Sequence, residues 1–247
     1  MNLFSPYKRQ LLYFLKNKIN IDKEKNDKSL SLEDLFVKYG SDKASFWNKS
    51  NNGHGYTKFY LKYFNRIRKK KLNILEVGSF SGASAAAFSK FFFNSNIYCL
   101  DINISNFKYK SKKIKVFGLD ATNLKNIKTF LNKIDADQKN GFFDIIIDDG
   151  SHRLEDILKV FKLFFQYLKS NGFYVIEDFK HPNFYKHLDS KNEPKINKLI
   201  QSLKKKKIIK SNILDHHFQK NIIKSLGLIK DYKGLLKDSY IAFFKKN

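Results

Sequence analysis

The sequence predicts an α/β fold with a doubly wound, mostly parallel sheet, a C-terminal antiparallel hairpin and a helical N-terminal extension. From residue 71 onward, short apolar runs alternate with helical patterns, which is typical of consecutive βαβ units. The last two apolar runs, within LIKDYKGLLKDSYIAFFKK, are too close in sequence for a helical crossover and therefore predict an antiparallel hairpin. Residues 1–70 show helical patterns and no clear strand. We therefore expect a helical extension or lid over 1–70 and one domain over 71–247.

The individual elements follow from length, apolar pattern and turn residues. Strands are predicted at 72–77, 97–101, 113–120, 143–147 and 173–178, and two more form the terminal hairpin. Helices are predicted over 81–93, 124–134, 153–170, 192–208 and 213–226. The helix over 153–170 carries apolar residues at i, i+3 and i+4 spacing, which gives it one apolar face. Asn171-Gly172 is expected to end this helix, as glycine commonly does at a helix C-terminus.

The strongly basic composition does not by itself indicate a nucleic-acid-binding protein. The 247-residue chain has 48 lysines and arginines against 23 acidic residues, a formal net charge of +25. Only four of the basic residues are arginine, the residue preferred for phosphate and base-edge recognition. Lysine, asparagine, isoleucine and phenylalanine are abundant together and share AT-rich codons, so a genomic base bias explains the charge more simply than RNA binding does.

Cysteine content and hydropathy bear on where the protein works. Cys99 is the single cysteine, so no internal disulfide can form and a reducing compartment is expected. The N-terminal apolar run Leu11–Leu15 is too short for a signal-peptide core, and no run approaches the roughly 18 apolar residues of a membrane span. These features predict a cytoplasmic protein with no transmembrane segment. An N-terminal helix that contacts a membrane or a partner subunit remains an alternative.

A glycine-containing loop follows the first predicted strand, in the stretch LEVGSFSGAS. In open α/β sheets, ligands bind beyond the carboxyl ends of the strands, and glycine allows the backbone to approach a ligand closely. Glu76 precedes Gly78 by two residues, and the spacing Gly78-x-x-x-Gly82 is not the dinucleotide fingerprint. Asp101 ends the next strand, where a carboxylate can accept both hydroxyl groups of a ribose. Glu76 would repel a pyrophosphate but would attract a ligand that carries an ammonium and a sulfonium group.

Two strand ends carry carboxylates that we expect to be neighbours. The strand over 143–147 is followed by Asp148-Asp149, and the strand over 173–178 ends with Glu177-Asp178. Adjacent strands lie about 4.8 Å apart, so up to four carboxylates should meet in one cleft, where like charges raise each other's pKa. A hard divalent cation with oxygen ligands suits such a cleft. We therefore expect Mg²⁺ to be held by Asp149, Glu177 and Asp178.

His152 comes three residues after Asp149, at the start of a predicted helix. The positive end of the helix dipole disfavours the imidazolium, so the ring should stay neutral. A neutral imidazole beside a metal ion that acidifies a hydroxyl group can act as a general base. We therefore predict that His152 is the catalytic residue and removes the proton of the attacking hydroxyl. The alternative is that Asp149 and Ser151 only cap the helix and that His152 is a surface residue.

These motifs resemble those of a known enzyme family. DIIIDDGSH followed by YVIED, together with the earlier segment KYGSDKASFWNKSNNGHGYTKFY, resembles the metal-dependent sugar O-methyltransferases of the macrocin and mycinamicin type. LEVGSFSGAS is similar to the first motif of class I S-adenosylmethionine (SAM)-dependent methyltransferases, with Phe80 where many of them have a third glycine. The resemblance covers roughly residues 37–180, with a weaker similarity in the terminal hairpin.

The resemblance implies a Rossmann-like fold, SAM as methyl donor and Mg²⁺ as metal, with Asp149, Glu177 and Asp178 as ligands and His152 as base. A glutamine often follows the acid at the third strand, where this chain has Ala121. The segment after Asp178 departs from the better-known members, so a macrolide acceptor is not carried over. The predicted cofactor-binding residues are Tyr56, Glu76, Gly78, Ser79, Gly82, Asp101, Asp120 and Asp148.

The functional hypothesis is a Mg²⁺- and SAM-dependent O-methyltransferase that acts on a hydroxyl of a sugar or glycosylated metabolite. The expected partner is a small-molecule or glycan acceptor rather than nucleic acid, and a homo-oligomer is left open. One alternative is a SAM-dependent methyltransferase that binds RNA through its basic surface. Its RNA binding should weaken steeply as the salt concentration rises. Another is a metal enzyme or binding module on the same fold that is not a methyltransferase, which predicts no SAM binding or a requirement for iron.

Overall fold

The computed structural model describes residues 5–24, 29–48 and 51–247. Lys49 and Ser50, in the middle of the segment KYGSDKASFWNKSNNGHGYTKFY, therefore lie outside the described residues. The chain folds into two units, Met1–Ala121 and Thr122–Asn247, and each is described by itself. The boundary expected between residues 70 and 71 is a different division and stays a prediction.

The first part of the first unit is mainly helical, with short strands between the helices. The helices are α1 (Pro6–Leu15), α2 (Leu32–Tyr39) and α3 (Thr57–Phe64), and the strands are β1 (Ile19–Asn20), β2 (Phe46–Asn48) and β3 (Asn51–Asn52). The sequence pattern does not reveal these strands, because two or three residues are too few to show an apolar alternation. β1 pairs in parallel with β6 (Tyr109–Lys110), which lies far along the chain.

Local signals define both ends of α2. Ser31 and Asp34 form a reciprocal capping box, in which each side chain accepts a hydrogen bond from the other residue's backbone N–H. The helix ends at Gly40, whose φ of +75° lies in the left-handed region that favours glycine.

Three parallel strands form the sheet of the first unit. They are β4 (Asn73–Val77), β5 (Asn96–Asp101) and β7 (Ile114–Gly118), with β5 between the other two, and α4 (Ala83–Phe91) connects β4 to β5. Val77 pairs with Leu100, and Asp101 pairs with Gly118. The carboxyl ends of these strands therefore lie at one edge of the sheet, as the sequence predicts.

The second unit carries the remaining strands and helices. They are α5 (Leu124–Lys133), β8 (Phe143–Asp148), α6 (Leu154–Phe165), β9 (Leu168–Glu177), α7 (His181–Phe184), α8 (Ile196–Lys204), α9 (His216–Ser225), β10 (Leu226–Lys233) and β11 (Tyr240–Lys246). β8 and β9 are parallel, whereas β11 is antiparallel to both β9 and β10. The fold class is therefore confirmed: a mostly parallel sheet with a C-terminal antiparallel hairpin.

The predicted end of the helix over 153–170 is wrong. α6 stops at Phe165, and Asn171-Gly172 lies inside β9 rather than at a helix terminus. The register shows why, because Phe143 pairs with Leu168 while Ile145 pairs with Phe173, so β9 carries a bulge of several residues. Asn171 has a φ of +63°, which asparagine tolerates better than most residues. Asn171-Gly172 is therefore part of the bulge in β9 and does not end α6.

The apolar face predicted for α6 is confirmed. Its buried residues include Leu154, Ile157, Leu158, Phe161, Phe164 and Phe165. The Phe161 ring packs edge-on against Tyr174 of β9, with ring centroids 4.9 Å apart. This packing fixes α6 against the strand whose carboxyl end carries Glu177. Among the described residues, no helix is both long and apolar enough to cross a membrane.

Candidate active site

Backbone hydrogen bonds hold the glycine loop of the first unit in a tight turn. Gly78 N–H donates to the Leu100 carbonyl (2.8 Å) and Gly82 N–H donates to the Ser79 carbonyl (2.7 Å). Gly78 and Gly82 have φ values of +84° and +77°, so both need the left-handed region. The loop between β4 and α4 is therefore shaped by glycine, as the sequence predicts.

The two acids near this loop differ in their surroundings. Glu76 is fully buried and accepts a hydrogen bond from the Ser84 hydroxyl of α4. Asp101 is partly exposed and accepts backbone N–H bonds from Phe80 (2.7 Å) and Asn103 (2.6 Å), one on each carboxylate oxygen. Each oxygen keeps a second lone pair, so Asp101 can still accept hydroxyl groups of a ligand. Glu76, in contrast, is hydrogen-bonded through its side chain to the helix that follows the loop.

The remaining predicted cofactor-binding residues of the first unit have distinct positions. Ser79 is buried, and its hydroxyl donates to the Glu76 carbonyl at 3.2 Å. Asp120 is half-buried just beyond β7. Tyr56 is fully buried, and its ring stacks on His54 with centroids 5.2 Å apart. Their roles in cofactor binding stay predictions.

The carboxyl ends of β8 and β9 place four acids in the second unit. Asp148, Glu177 and Asp178 are almost completely buried, whereas the side chain of Asp149 is 21% exposed. Asp148 pairs with Ile176, so it lies on the same sheet face as Tyr174, and alternation directs Glu177 to the opposite face. Burial raises the pKa of Asp148 to about 8, and the charges of Asp149 and Asp156 act in the same direction.

His152 lies two residues before the first residue of α6, in a left-handed conformation with a φ of +57°. Its Nε2 atom is 3.8 Å from Oδ1 of Asp149. The ring is about a quarter exposed, so it is accessible to solvent and to a ligand. The predicted base therefore lies beside one predicted metal ligand.

A second histidine, which the sequence analysis does not identify, lies at the same place. His181 begins α7, and its ring meets the His152 ring edge-on, with centroids 4.8 Å apart. Its Nε2 atom is 3.7 Å from Oδ1 of Asp178 and 3.6 Å from Oδ2 of Asp238. Tyr185 donates its hydroxyl to the same Asp238 oxygen at 2.6 Å.

A spacing in the sequence could have revealed His181. Asp149-x-x-His152 follows β8, and Asp178-x-x-His181 follows the neighbouring strand β9. Two parallel strands that each end in the same four-residue pattern bring their histidines to one edge of the sheet. The predicted set of site residues contains His152 but not His181, and it is therefore incomplete.

Metal-ligating atoms converge at these histidines. One ligand atom each from His152, Asp178 and His181 lies within 4.8 Å of the other two. In the part of the chain that the structure describes, no other such group of three or more histidine, cysteine or acidic residues is found, and Asp149 and Glu177 are not members of this one. Their roles as metal ligands stay predictions.

A family model described as "Methyltransferase domain" matches residues 68–227, which is more than half of the chain. The chain belongs to this family. Among curated relatives, demethylmacrocin O-methyltransferase of Streptomyces fradiae is 31% identical over 132 residues, 51% of this chain and 32% of the relative. Mycinamicin VI 2''-O-methyltransferase of Micromonospora griseorubida is 30% identical over 154 residues, 60% of this chain and 35% of the relative. The chain thus covers about a third of the length of these curated relatives.

A solved structure supports the fold of the chain. It is described as MycE methyltransferase from the mycinamycin biosynthetic pathway in complex with Mg, S-adenosylhomocysteine (SAH) and mycinamycin VI. The match has a TM-score of 0.65 and 23% sequence identity, and it covers 89% of this chain and 55% of that chain. At this identity the similarity shows the fold. Binding of the same ligands by this chain is a proposal.

Proposed function

We propose that this methyltransferase transfers a methyl group from SAM to a hydroxyl of a sugar or glycosylated metabolite and requires Mg²⁺. The observation that carries the proposal is the meeting of acids and His152 at the carboxyl ends of β8 and β9, in a chain of the methyltransferase family. The names of the relatives, which are sugar O-methyltransferases of antibiotic pathways, support the acceptor class. The lone, buried Cys99 supports a cytoplasmic setting.

The cofactor proposal assigns SAM to residues with suitable chemistry. The loop of Gly78, Ser79 and Gly82 is bent by positive φ angles, which allows the backbone to approach a ligand closely. Asp101 has acceptor capacity left for ribose hydroxyls, as described above. Tyr56, Glu76, Asp120 and Asp148 complete the proposed set of cofactor-binding residues.

The donor chemistry of the second unit fits Mg²⁺. Asp149, Glu177 and Asp178 offer carboxylate oxygens, the ligands that this ion prefers. Glu177 and Asp178 are nearly buried, and buried carboxylates are normally compensated by a cation or by hydrogen-bond donors. When bound, the ion lowers the pKa of a hydroxyl that it contacts.

His152 is the proposed proton acceptor. Its Nε2 atom lies 3.8 Å from Oδ1 of Asp149, so the ring is next to one of the proposed metal ligands. Partial exposure gives the ring access to an acceptor hydroxyl, and the same residue then carries the proton away as the oxygen attacks the methyl carbon. The bond from the methyl carbon to the sulfonium sulfur would break as the new O–C bond forms, so the products would be the methyl ether, neutral S-adenosylhomocysteine and protonated His152.

The test is methyl transfer from labelled SAM to a panel of glycosides in Mg²⁺, with identification of the labelled product. His152→Ala should lower turnover by about 100- to 10,000-fold, the usual contribution of general base catalysis. His187→Ala is the matched control, because His187 is an exposed histidine nearby in the same unit. Full turnover of His152→Ala on the true acceptor would contradict the role of His152, and transfer that survives complete removal of Mg²⁺ would contradict the metal requirement.

RNA is a second candidate acceptor, because the net charge of +25 can attract a polyanion. Counterion release makes RNA binding fall steeply with salt, whereas a neutral sugar acceptor should be almost insensitive to it. Methyl transfer to RNA that is lost between about 50 and 200 mM salt would favour this candidate over the glycoside.

A further inference from the structure

We propose that His152, Asp178 and His181 form a second, nitrogen-rich metal site that binds Zn²⁺ or Co²⁺ and thereby inhibits methyl transfer. The site shares Asp178 and His152 with the machinery proposed above, so the inhibition rests on the proposed function. Metal binding itself does not, because it follows from the positions of the three side chains.

The three ligand atoms already lie close together. All are within 4.8 Å of one another, and His181 Nε2 is 3.7 Å from Oδ1 of Asp178. Metal–nitrogen bonds of about 2.1 Å place two ligand atoms about 3 to 4 Å apart. Side-chain rotations that bring the widest pair together by about an ångström are therefore sufficient.

The donor set selects the kind of ion. Two imidazole nitrogens and one carboxylate oxygen suit borderline transition ions such as Zn²⁺ and Co²⁺. Mg²⁺ prefers an all-oxygen shell and keeps several waters, so it should favour Asp149, Glu177 and Asp178 instead. The same region thus offers a nitrogen-rich set of ligands and an all-carboxylate set, and the two sets share Asp178.

A further carboxylate lies at the same histidine nitrogen. Oδ2 of Asp238, in the loop between β10 and β11, lies 3.6 Å from His181 Nε2, and Tyr185 donates its hydroxyl to that oxygen. A carboxylate that only orients a metal-binding histidine does so through the ring nitrogen that does not bind the metal. Because Asp238 faces the same nitrogen as Asp178, it is an additional oxygen donor beside the proposed site.

Inhibition follows from the shared residues. A histidine nitrogen that donates its lone pair to a metal ion cannot accept a proton through the same atom. Zn²⁺ at this site would therefore occupy the base and also withdraw Asp178 from the proposed Mg²⁺ ligands. Because His181 belongs only to the nitrogen-rich set, its substitution should weaken the binding of Zn²⁺ and leave the proposed Mg²⁺ ligands in place.

The first experiment measures binding without catalysis. The full chain is titrated with Co²⁺, following the visible absorption of the bound ion, and with Zn²⁺ by calorimetry. His181→Ala and the more conservative His181→Asn should weaken Co²⁺ binding by at least about 10-fold and change the spectrum. His187→Ala should bind like the wild type. Equal affinity and an unchanged spectrum in both His181 variants would overturn the proposal.

The second experiment measures inhibition of Mg²⁺-supported methyl transfer by added Zn²⁺. Each rate is divided by the same variant's rate without zinc, so that any effect of the substitution on turnover cancels. The zinc concentration for half inhibition should rise at least about 10-fold in His181→Asn and stay constant in His187→Ala. Identical inhibition of all three proteins would overturn the inhibitory role. A chain that binds Co²⁺ through His181 but transfers no methyl group would refute the proposed function and leave the metal site standing.

Discussion

Gly82, in the loop proposed to bind the cofactor, is required by its backbone conformation and by packing, whether or not a ligand binds there. A Cβ atom at this position would lie 2.4 Å from Cζ of Phe107, and the φ of +77° is itself unfavourable for other residues. Gly40 has a similar φ of +75°, yet a Cβ there would have no atom within 4 Å. A comparison of the two glycines therefore separates the cost of a positive φ from the cost of a steric clash.

Replacing each glycine by alanine should reveal this difference. Gly40→Ala carries only the cost of a left-handed residue, about 1–2 kcal/mol. Gly82→Ala carries that cost and also displaces the Phe107 ring, which adds about 1–3 kcal/mol. Urea denaturation of both variants measures the two losses. Equal destabilisation would show that Phe107 moves aside freely and that the packing argument is wrong.

At the same scale, His181 is the site residue that was not predicted from the sequence. Asp149, His152, Glu177 and Asp178 could be predicted because they directly follow apolar runs that read as strands. His181 follows Asp178 in a helix of four residues, too short to show a helical pattern. Its one signal in the sequence is the spacing Asp178-x-x-His181, which repeats Asp149-x-x-His152, and the paired ends of β8 and β9 place the two histidines against each other.

At the scale of elements, periodicity predicted the interior of α6 well and its end poorly. The apolar face from Leu154 to Phe165 follows directly from i, i+3 and i+4 spacing. Asn171-Gly172 is compatible with a helix terminus or with a bulge, and local sequence does not distinguish them. The pairing of β9 with β8 does distinguish a helix terminus from a bulge. Lys169 Nζ lies 3.0 Å from Oδ2 of Asp144 in β8, so this part of the chain lies beside that strand.

The start of α9 gives a prediction about pH. Asp215 caps this helix by accepting the Phe218 N–H at 2.9 Å, and the Lys162 ammonium lies 2.7 Å from its other oxygen. Lys162 and this backbone bond lower the pKa of Asp215 to about 2. The unfolded-state pKa is about 3.9, so the contribution to stability is complete above about pH 4 and is lost as pH falls toward 2.

Asp215→Asn keeps a capping oxygen and removes the charge, so it isolates this contribution. The urea midpoint of the wild type should exceed that of the variant by a constant amount from pH 7 to about pH 5, and the difference should shrink below about pH 4. Because Asp215 is exposed, added salt should reduce the difference as well. A difference that stays the same down to pH 2.5 would contradict the assignment to the carboxylate charge.

At the scale of the whole molecule, alternating strands and helices were enough to predict the fold class, and the match to the solved structure, with a TM-score of 0.65, agrees with it. Each unit contains one group of predicted residues: the glycine loop with Asp101 in the first, and the acids with His152 in the second. The acceptor could not be predicted, because a small molecule is recognised by side-chain geometry that carries no regular spacing in the sequence.

The central claim is that Asp149, Glu177 and Asp178 hold Mg²⁺ while His152 remains outside its shell as a base. A crystal structure of the full chain grown with Mg²⁺ and SAH tests this most directly. The account predicts an octahedral ion, about 2.1 Å from oxygens of the three acids, with neither imidazole bound. A Mg²⁺ ion coordinated by His152, or found away from these three carboxylates, would contradict it.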